Sequence, residues 1–399
     1  MKKNILLSFV NYGCYYFSQW LIIVLLARFT TKEDLGVFSL ALAICVPMFY
    51  FFGLSFKSVM STDQAIDSTV SNYLSIRLFS FIPVFLLTIS IAFLFDYAAY
   101  LKIFMLVFAW KLLEFVSDVI HGYFQSKEYF FKLTIAQIIK ASLVIVCSFV
   151  VLLFYPSVVA ILYTLIVVYL VGLIVELVML LKPGIVTFQL DLKGTVSVLK
   201  RTYPLAFVVL ISNLFNNVPR YMLEQISLEA VGVFSAVYYF AVIGSSVINS
   251  ISQALLPRLS KYYNLGERNK YNQILKKSTL VSVGLGVGWL LITVIFGDQL
   301  LYIIFGEEYM LYQSLLVYLS VGMLFLYSSI FIGTSLHVAG QYHQQLKINV
   351  ASLVVLCISS FLAIGHFGLD GAGIAIMLTN LFHSILIFTV YSYKFKWTH

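Results

Sequence analysis

The sequence has 399 residues, of which 61% are hydrophobic and only 11% are charged, whereas soluble proteins carry about 25% charged residues. So few charges cannot cover a water-exposed surface, which excludes a soluble enzyme or soluble binding protein and indicates a surface that mostly faces lipid. The formal net charge of +8 is explained by membrane topology and contact with anionic lipids, not by nucleic-acid binding.

Twelve apolar runs follow one another along the chain, and each is long enough to cross a bilayer as a helix of about 20 residues. They are too long for barrel strands and do not alternate polar with apolar residues, so the predicted fold is an all-α polytopic membrane protein. The first run is too long for the apolar core of a signal peptide. We number the runs as spans 1 to 12: 5–27, 36–56, 74–95, 99–121, 133–154, 157–181, 203–225, 231–256, 279–304, 311–335, 346–366 and 371–392.

Lysines and arginines are unevenly distributed between the two sides of the membrane. If the N-terminus is cytoplasmic, 19 of the 25 basic residues fall on the cytoplasmic side, Arg77 among them. The opposite side then holds only Arg28, Lys32, Lys102 and Arg220. The positive-inside rule therefore predicts that both termini are cytoplasmic.

A short sequence is repeated in the two halves of the chain. LGVFS at 35–39 returns as VGVFS at 231–235, and a glutamate stands two residues before each copy (Glu33 and Glu229). The copies begin spans 2 and 8, and because six spans return the chain to the same side, the copies share one orientation. This predicts two parallel six-helix bundles around a central cavity, an arrangement found in transporters. The segment 182–202 is the predicted linker, and the predicted domains are 1–195 and 196–399.

Polar side chains within the spans form stripes along single helix faces. In spans 1 and 4 the stripes are Asn4, Ser8, Asn11, Tyr15, Ser18 and Lys111, Glu114, Asp118, His121, Gln125. In spans 7 and 8 they are Asn213, Asn216, Asn217, Arg220, Glu224 and Ser235, Ser246, Asn249, Gln253. Lys140 and Glu176 stand alone in spans 5 and 6.

Two interpretations of these stripes are open. They pack helices together, with Lys111 pairing with Glu114 and Arg220 with Glu224 along one helix, or they line a hydrated cavity. We favour the cavity, because packing needs only one or two polar groups per helix and charges within a bilayer usually face protein or water.

Three stretches resemble the polysaccharide flippases of the MATE/MOP exporter superfamily. They are EAVGVFSAVYYFAVIGSSVINSISQALLPRLSKYYNLGE at 229–267, its first-half counterpart EDLGVFSLALAICVPMFYFFGLSFKSVMSTD at 33–63, and FGLDGAGIAIMLTN at 367–380. The resemblance implies a flippase that moves undecaprenyl-diphosphate-linked oligosaccharide repeat units of O-antigen or capsule from the cytoplasmic to the periplasmic leaflet by alternating access. It also implies the bacterial cytoplasmic (inner) membrane, with a polysaccharide polymerase and a chain-length regulator as candidate partners.

The candidate substrate contacts are bases and polar groups that can bind a diphosphate or a sugar. The bases within the spans do not outnumber the acids, so the sequence predicts no simple electrostatic trap. Bases near the ends of spans 1, 2 and 8 can grip phosphate and resemble those on the substrate path of lipid II flippases, although the positive-inside rule also accounts for two of them. The candidates are Arg28, Lys57, Arg220, Arg258, Lys111, Lys140, Asn213, Asn217, Asn249, Gln253 and, for stacking on sugar rings, Tyr238.

Carboxylates within the spans are candidates for coupling transport to an ion gradient. A carboxylate in a dehydrated cavity takes up a proton or binds Na⁺, so the coupling ion is H⁺ or Na⁺. The candidates are Glu114, Asp118, Glu224 and Glu176.

Two other functions compete with the flippase. An enzyme acting on lipid-linked sugars needs catalytic groups in sizeable loops, but the external loops are short and carry no nucleophile, phosphate-binding or metal-ligating motif. We therefore predict no enzymatic activity, no cofactor and no metal, and treat the four cysteines as apolar packing residues. A MATE-like cation-coupled drug or metabolite antiporter would share the fold and the repeat, and only the saccharide-type stretch at 229–267 favours the flippase over it.

Overall fold

The computed structural model describes residues 2–53, 60, 66–180 and 192–394, and all regular structure in them is helical. Two short 3₁₀ helices, Ala98–Tyr100 and Glu307–Tyr312, precede α4 and α10. The α-helices are α1 (Lys2–Phe29), α2 (Lys32–Phe52), α3 (Ile66–Leu94), α4 (Leu101–Ser126), α5 (Phe130–Phe154), α6 (Val158–Leu180), α7 (Leu192–Glu224), α8 (Leu228–Asn264), α9 (Arg268–Phe305), α10 (Gln313–Val338) and α11 (Tyr342–Lys394).

These helices confirm the prediction of an all-α polytopic membrane protein. Helices α1 to α10 correspond one to one with spans 1 to 10, and α11 contains spans 11 and 12, separated by a break at Gly368 (φ 55°, ψ −127°). Within the described part of the chain, nine helices are long and apolar enough to cross a membrane. Helix α4 is not one of the nine, because Lys111, Glu114 and Asp118 lie close together in it.

Several helices extend beyond the predicted spans. Helix α9 begins at Arg268, eleven residues before span 9, and α8 continues to Asn264, eight residues past span 8. The loop predicted at 367–370 is helical apart from Gly368. The differences share one physical reason: hydropathy detects only the part of a helix that lies in hydrocarbon, whereas backbone hydrogen bonding continues into polar flanks.

The sequence repeat is also a structural repeat. Thr31 caps the N-terminus of α2 by accepting a hydrogen bond from the backbone N–H of Asp34 (3.1 Å), and Ser227 caps α8 by accepting one from Ala230 (3.1 Å). A side-chain oxygen at this position satisfies one of the N–H groups that a helix start leaves without a partner. In both pentads the first, third, fourth and fifth residues are buried. The repeated letters therefore encode the same helix start and the same buried face.

The chain divides into two compact units, Met1–Leu214 and Phe215–His399, with the boundary inside α7. The domain limits at 195 and 196 stay a prediction, because residues 181–191 of the linker are outside the described part. In the N-terminal unit α4 is central and packs against α2, α3, α5 and α6, while in the C-terminal unit α10 packs against α8, α9 and α11.

The two central helices differ in chemistry. Helix α4 carries buried ionisable side chains, whereas α10 has no lysine, arginine, aspartate or glutamate between Gln313 and Val338. Contacts of α10 are made by hydroxyls: Ser384 donates to the carbonyl of Phe325 (2.6 Å) and Ser282 to that of Tyr327 (3.0 Å). In the part of the chain that the structure describes, the buried carboxylate–ammonium pairs therefore belong to the N-terminal unit.

Candidate functional site: a charged cavity in the N-terminal unit

The N-terminal unit contains a cavity of about 250 Å³ beside the second half of α4. Side chains from α1 to α7 line it, and most are polar or aromatic. A space of this size and polarity holds several water molecules. The polar lining includes Asn11, Arg77, Glu114, Asp118, His121, Gln137 and Lys140, with Tyr12, Tyr15, Tyr16, Tyr50 and Tyr169.

One wall of the cavity is a buried cluster around Glu176 of α6. Its Oε1 accepts hydrogen bonds from Lys140 Nζ of α5 (2.6 Å) and from His121 Nε2 of α4 (2.9 Å). The side chain of Glu176 is fully enclosed and that of Lys140 is 3% exposed. Lys140 and His121 line the cavity and Glu176 does not. Glu176 is thus a buried counter-ion behind two cavity-facing groups, because an unpaired charge at this depth would cost several kcal/mol.

Gly172, one turn before Glu176 on α6, creates the space that Lys140 occupies. A Cβ at Gly172 would lie 2.6 Å from Lys140 Cε and 3.3 Å from Lys140 Cδ. Any larger residue there would push the lysine stem away from Glu176. Lys140 Nζ also lies 3.4 Å from Ser117 Oγ and 5.2 Å from the ring centroid of Tyr169, so helices α4, α5 and α6 all fix its position.

A second cluster links α1 to α4. Lys111 Nζ donates to Glu114 Oε2 (2.6 Å), and the Tyr15 hydroxyl donates to Glu114 Oε1 (2.5 Å). Lys111 also lies over the ring of Trp110, 3.8 Å from the centroid, which is a favourable cation–π distance. The i,i+3 pair that the packing interpretation named therefore forms, and both oxygens of Glu114 have partners although this carboxylate lines the cavity.

Arg77 of α3 is a cavity residue that sequence reasoning did not select. Its side chain is 2% exposed, its guanidinium lies 5.3 Å from the ring centroid of Phe115, and it interacts electrostatically with Asp118. Gly53, at the end of α2, gives it room, because a Cβ there would overlap Arg77 Nη1. The assignment of Arg77 to the cytoplasmic side stays a prediction, and the structure adds that this side chain faces the protein interior. The available signal was an arginine inside an otherwise apolar run.

Including Arg77 changes the charge balance of the site. The cavity and its two clusters contain three bases (Arg77, Lys111, Lys140) and three acids (Glu114, Asp118, Glu176). The site is therefore formally neutral with His121 uncharged. A single charge added to so enclosed a space raises the free energy by several kcal/mol unless a charge of opposite sign enters with it.

The C-terminal unit holds Arg220 in a different way. Its Nε donates to Ser235 Oγ (2.8 Å), and its Nη1 donates to Asn217 Oδ1 (2.8 Å) and to the carbonyl of Asn216 (2.9 Å). Its guanidinium also lies 5.5 Å from the ring centroid of Tyr238. These contacts do not include the pairing of Arg220 with Glu224 that the packing interpretation named. Ser235 and Tyr238 reach Arg220 from α8, so this part of the span 7 and span 8 stripes packs two helices together.

The other predicted site residues do not line the cavity of the N-terminal unit. Asn213 donates to the carbonyl of Val209 (2.8 Å) and Glu224 is half-buried. Lys57 lies outside the described residues. Arg28, Asn249, Gln253 and Arg258 are exposed on their own units.

Paired ionisable side chains around a polar cavity inside membrane helices are typical of transporters. Residues 1–263 match the family model described as polysaccharide biosynthesis protein, and residues 204–362 match the MatE model. The first match covers more than half of the chain, so the chain belongs to the polysaccharide biosynthesis protein family. This confirms the resemblance to polysaccharide flippases of the MOP superfamily.

Individual relatives agree with this membership. The chain is 28% identical over 404 residues to the capsular polysaccharide biosynthesis protein CapF of Staphylococcus aureus, covering 99% of each chain. It is 22% identical over 172 residues, 42% of this chain and 36% of the relative, to the probable low-salt glycan biosynthesis flippase Agl15 of Haloferax volcanii.

Solved structures show the same fold at low sequence identity. The lipid II flippase MurJ in an inward closed conformation superposes with a TM-score of 0.76 at 14% identity, over 97% of this chain and 87% of that one. An inward-facing multidrug resistance MATE family transporter of the MOP superfamily gives a TM-score of 0.73 at 14% identity, over 94% and 93%. These neighbours are transporters and a flippase, not enzymes.

Proposed function

We propose that this protein is a flippase that moves lipid-diphosphate-linked oligosaccharide repeat units of a capsule or O-antigen from the cytoplasmic to the outer leaflet by alternating access. The observation that carries the proposal is the charge-balanced cavity, buried in an all-helical membrane protein of the polysaccharide biosynthesis family. The near full-length similarity to a capsular polysaccharide biosynthesis protein supports this substrate class. A polymerase and a chain-length regulator are the partners that this pathway would supply.

The size of the cavity limits its role in transport. Its volume of about 250 Å³ is below the range of about 300–1,000 Å³ that is usual for small-molecule sites. It cannot enclose an oligosaccharide. It suits a coupling ion with water, or one phosphate group bound by Arg77 and Lys140. The other candidates for contact with the sugar or the diphosphate, Arg28, Lys57, Arg258, Asn249 and Gln253, do not line this cavity or lie outside the described residues, and they stay predictions.

Complementation tests the proposal against the alternative of a drug or metabolite antiporter. We expect expression of this chain to restore surface polymer in a strain that lacks its own capsule or O-antigen flippase. The variant Lys140→Met should restore less polymer than the wild type after correction for its membrane abundance. Raised drug resistance with no polymer in strains that make several different repeat units would favour the antiporter and reject the flippase.

Among the four carboxylates, Asp118 is the one we propose for ion coupling. Glu176 does not reach the cavity and Glu114 uses both oxygens within the protein, whereas Asp118 lines the cavity and interacts with Arg77. A proton or Na⁺ at Asp118 would release Arg77 toward an anion and so preserve the charge balance. Glu224 lies in the other unit and does not line this cavity.

Neutralising Asp118 is therefore expected to remove the dependence of transport on the ion gradient. We expect Asp118→Asn in proteoliposomes to move lipid-linked sugar at one rate with or without an imposed H⁺ or Na⁺ gradient, whereas the wild type is accelerated. Glu128→Gln, an exposed carboxylate just past the end of α4, is the matched control. Gradient dependence that survives in Asp118→Asn would exclude this residue from coupling.

A further inference from the structure

The C-terminal unit has a second, apolar groove between α8, α9 and α10, with a volume of about 170 Å³. Ile248 and Phe331 form its floor and are each 2% exposed. Ile251, Val281 and Leu285 form its rims and are 41%, 54% and 51% exposed. An apolar depression with open sides on a membrane protein is a place where a hydrocarbon chain can pack.

An open stripe of α9 lies beside the groove. Val281, Gly284, Leu285 and Gly288 follow Lys277 at helical spacings of four, seven, eight and eleven residues, which places all five on one side. A Cβ at Gly284 or Gly288 would meet no atom within 4 Å, so the face is open there. At about 1.5 Å per residue the run is roughly 16 Å long, about half of the 30 Å hydrocarbon core. That is the length of one leaflet.

The polar end of the groove is basic. Lys277 and Ser278 line that end, and Arg268, Lys270 and Lys276 lie in the nine residues of α9 that precede Lys277. Clusters of this kind beside a membrane helix attract anionic lipid headgroups. A positive charge at one end and a leaflet-long apolar surface beyond it match a molecule with one phosphate and a hydrocarbon chain.

We infer that this groove binds an anionic phospholipid, with the phosphate against Lys277 and Ser278 and one acyl chain along Val281, Gly284, Leu285 and Gly288. The polyprenyl chain of a transport substrate is a poorer match for two reasons. It is several times longer than the groove, and its diphosphate would meet only one ammonium group, that of Lys277, in the groove lining. The inference goes beyond the proposed function, since a bound lipid of this kind does not depend on which cargo the protein moves.

Native mass spectrometry of the full chain in detergent, titrated with phosphatidylglycerol, phosphatidylcholine or a polyprenyl phosphate, tests the inference. We expect selective phosphatidylglycerol adducts, weakened about fivefold by Lys277→Gln. Lys347→Gln, which removes an exposed lysine of α11 that neither lines the groove nor belongs to this basic cluster, should leave them unchanged.

A second variant tests the chain-binding part. Gly284→Leu with Gly288→Leu covers this stripe of α9 with side chains that helices accept well, so we expect adducts of phosphatidylglycerol to disappear while the unfolding temperature is kept. Equal adducts in the wild type, Lys277→Gln and the filled variant would overturn the inference. Preferential binding of the polyprenyl phosphate would overturn it too, by assigning the groove to the substrate.

Discussion

Replacing Lys140 by methionine is expected to lower the free energy of unfolding by about 3–5 kcal/mol, the usual effect of removing one partner of a buried ion pair. The change leaves the enclosed carboxylate of Glu176 with His121 as its one remaining hydrogen-bond partner among the described residues. Unfolding of the purified protein in detergent, followed by intrinsic fluorescence or thermal shift, measures the loss. Lys102→Met, at an exposed lysine of the same unit, should change stability by less than about 0.5 kcal/mol.

The double variant Lys140→Met with Glu176→Gln tests whether the two side chains stabilise the protein through their mutual interaction. Removing both charges should lower the free energy of unfolding by less than either single change does, because neither group is then left as an uncompensated charge. Additive losses in this double-mutant cycle would show that the two residues do not stabilise each other.

Transport by the same double variant distinguishes a structural pair from a functional one. If the ammonium group of Lys140 must face the cavity, the double variant regains stability but still transports at least about tenfold more slowly, a difference of about 1.4 kcal/mol in the barrier. Full transport by a stable double variant would show that the cluster around Glu176 only stabilises the helix packing. Gly172→Val, which displaces Lys140 without changing any charge, should reproduce the transport defect.

Replacing Gly371 by alanine is expected to have the other large effect, a loss of about 3 kcal/mol or more in the free energy of unfolding and a reduced folded yield. Gly371 lies just after the break of α11 at Gly368. A Cβ at Gly371 would lie 2.6 Å from the backbone N of Ile364, and nearer still to the carbonyl of Ala363. Both are backbone atoms, so no side chain can rotate away, and the two stretches of α11 would have to separate.

Gly365→Ala is the matched control for this prediction. It lies on the same helix, before the break, and a Cβ there would meet nothing within 4 Å. Alanine should stabilise a helix interior by about 0.5–1 kcal/mol relative to glycine, so this variant should be neutral or slightly more stable. Equal stability of the two alanine variants would show that the close approach at Gly371 tolerates a side chain.

The sequence alone determined the features that depend on neighbours along the chain. Hydropathy located the membrane helices, because a bilayer imposes a length and an apolar composition on each one. The repeat at 35–39 and 231–235 marked two equivalent helix starts, because capping depends on residues only three positions apart, as at Thr31 and Ser227. Helical periodicity also identified the polar face of α4, including the contact of Lys111 with Glu114.

Only the tertiary structure decided which of these faces meet. Lys140 and Glu176 stood alone in their spans, and nothing in a period of 3.6 residues indicates that α5 and α6 bring them within 2.6 Å. For the same reason the sequence did not indicate that α2 and α4 enclose Arg77, or that Ser235 and Asn217 hold Arg220. Sequence periodicity fixes the direction of a side chain on its own helix. The neighbour that it meets there is set by how separate helices pack.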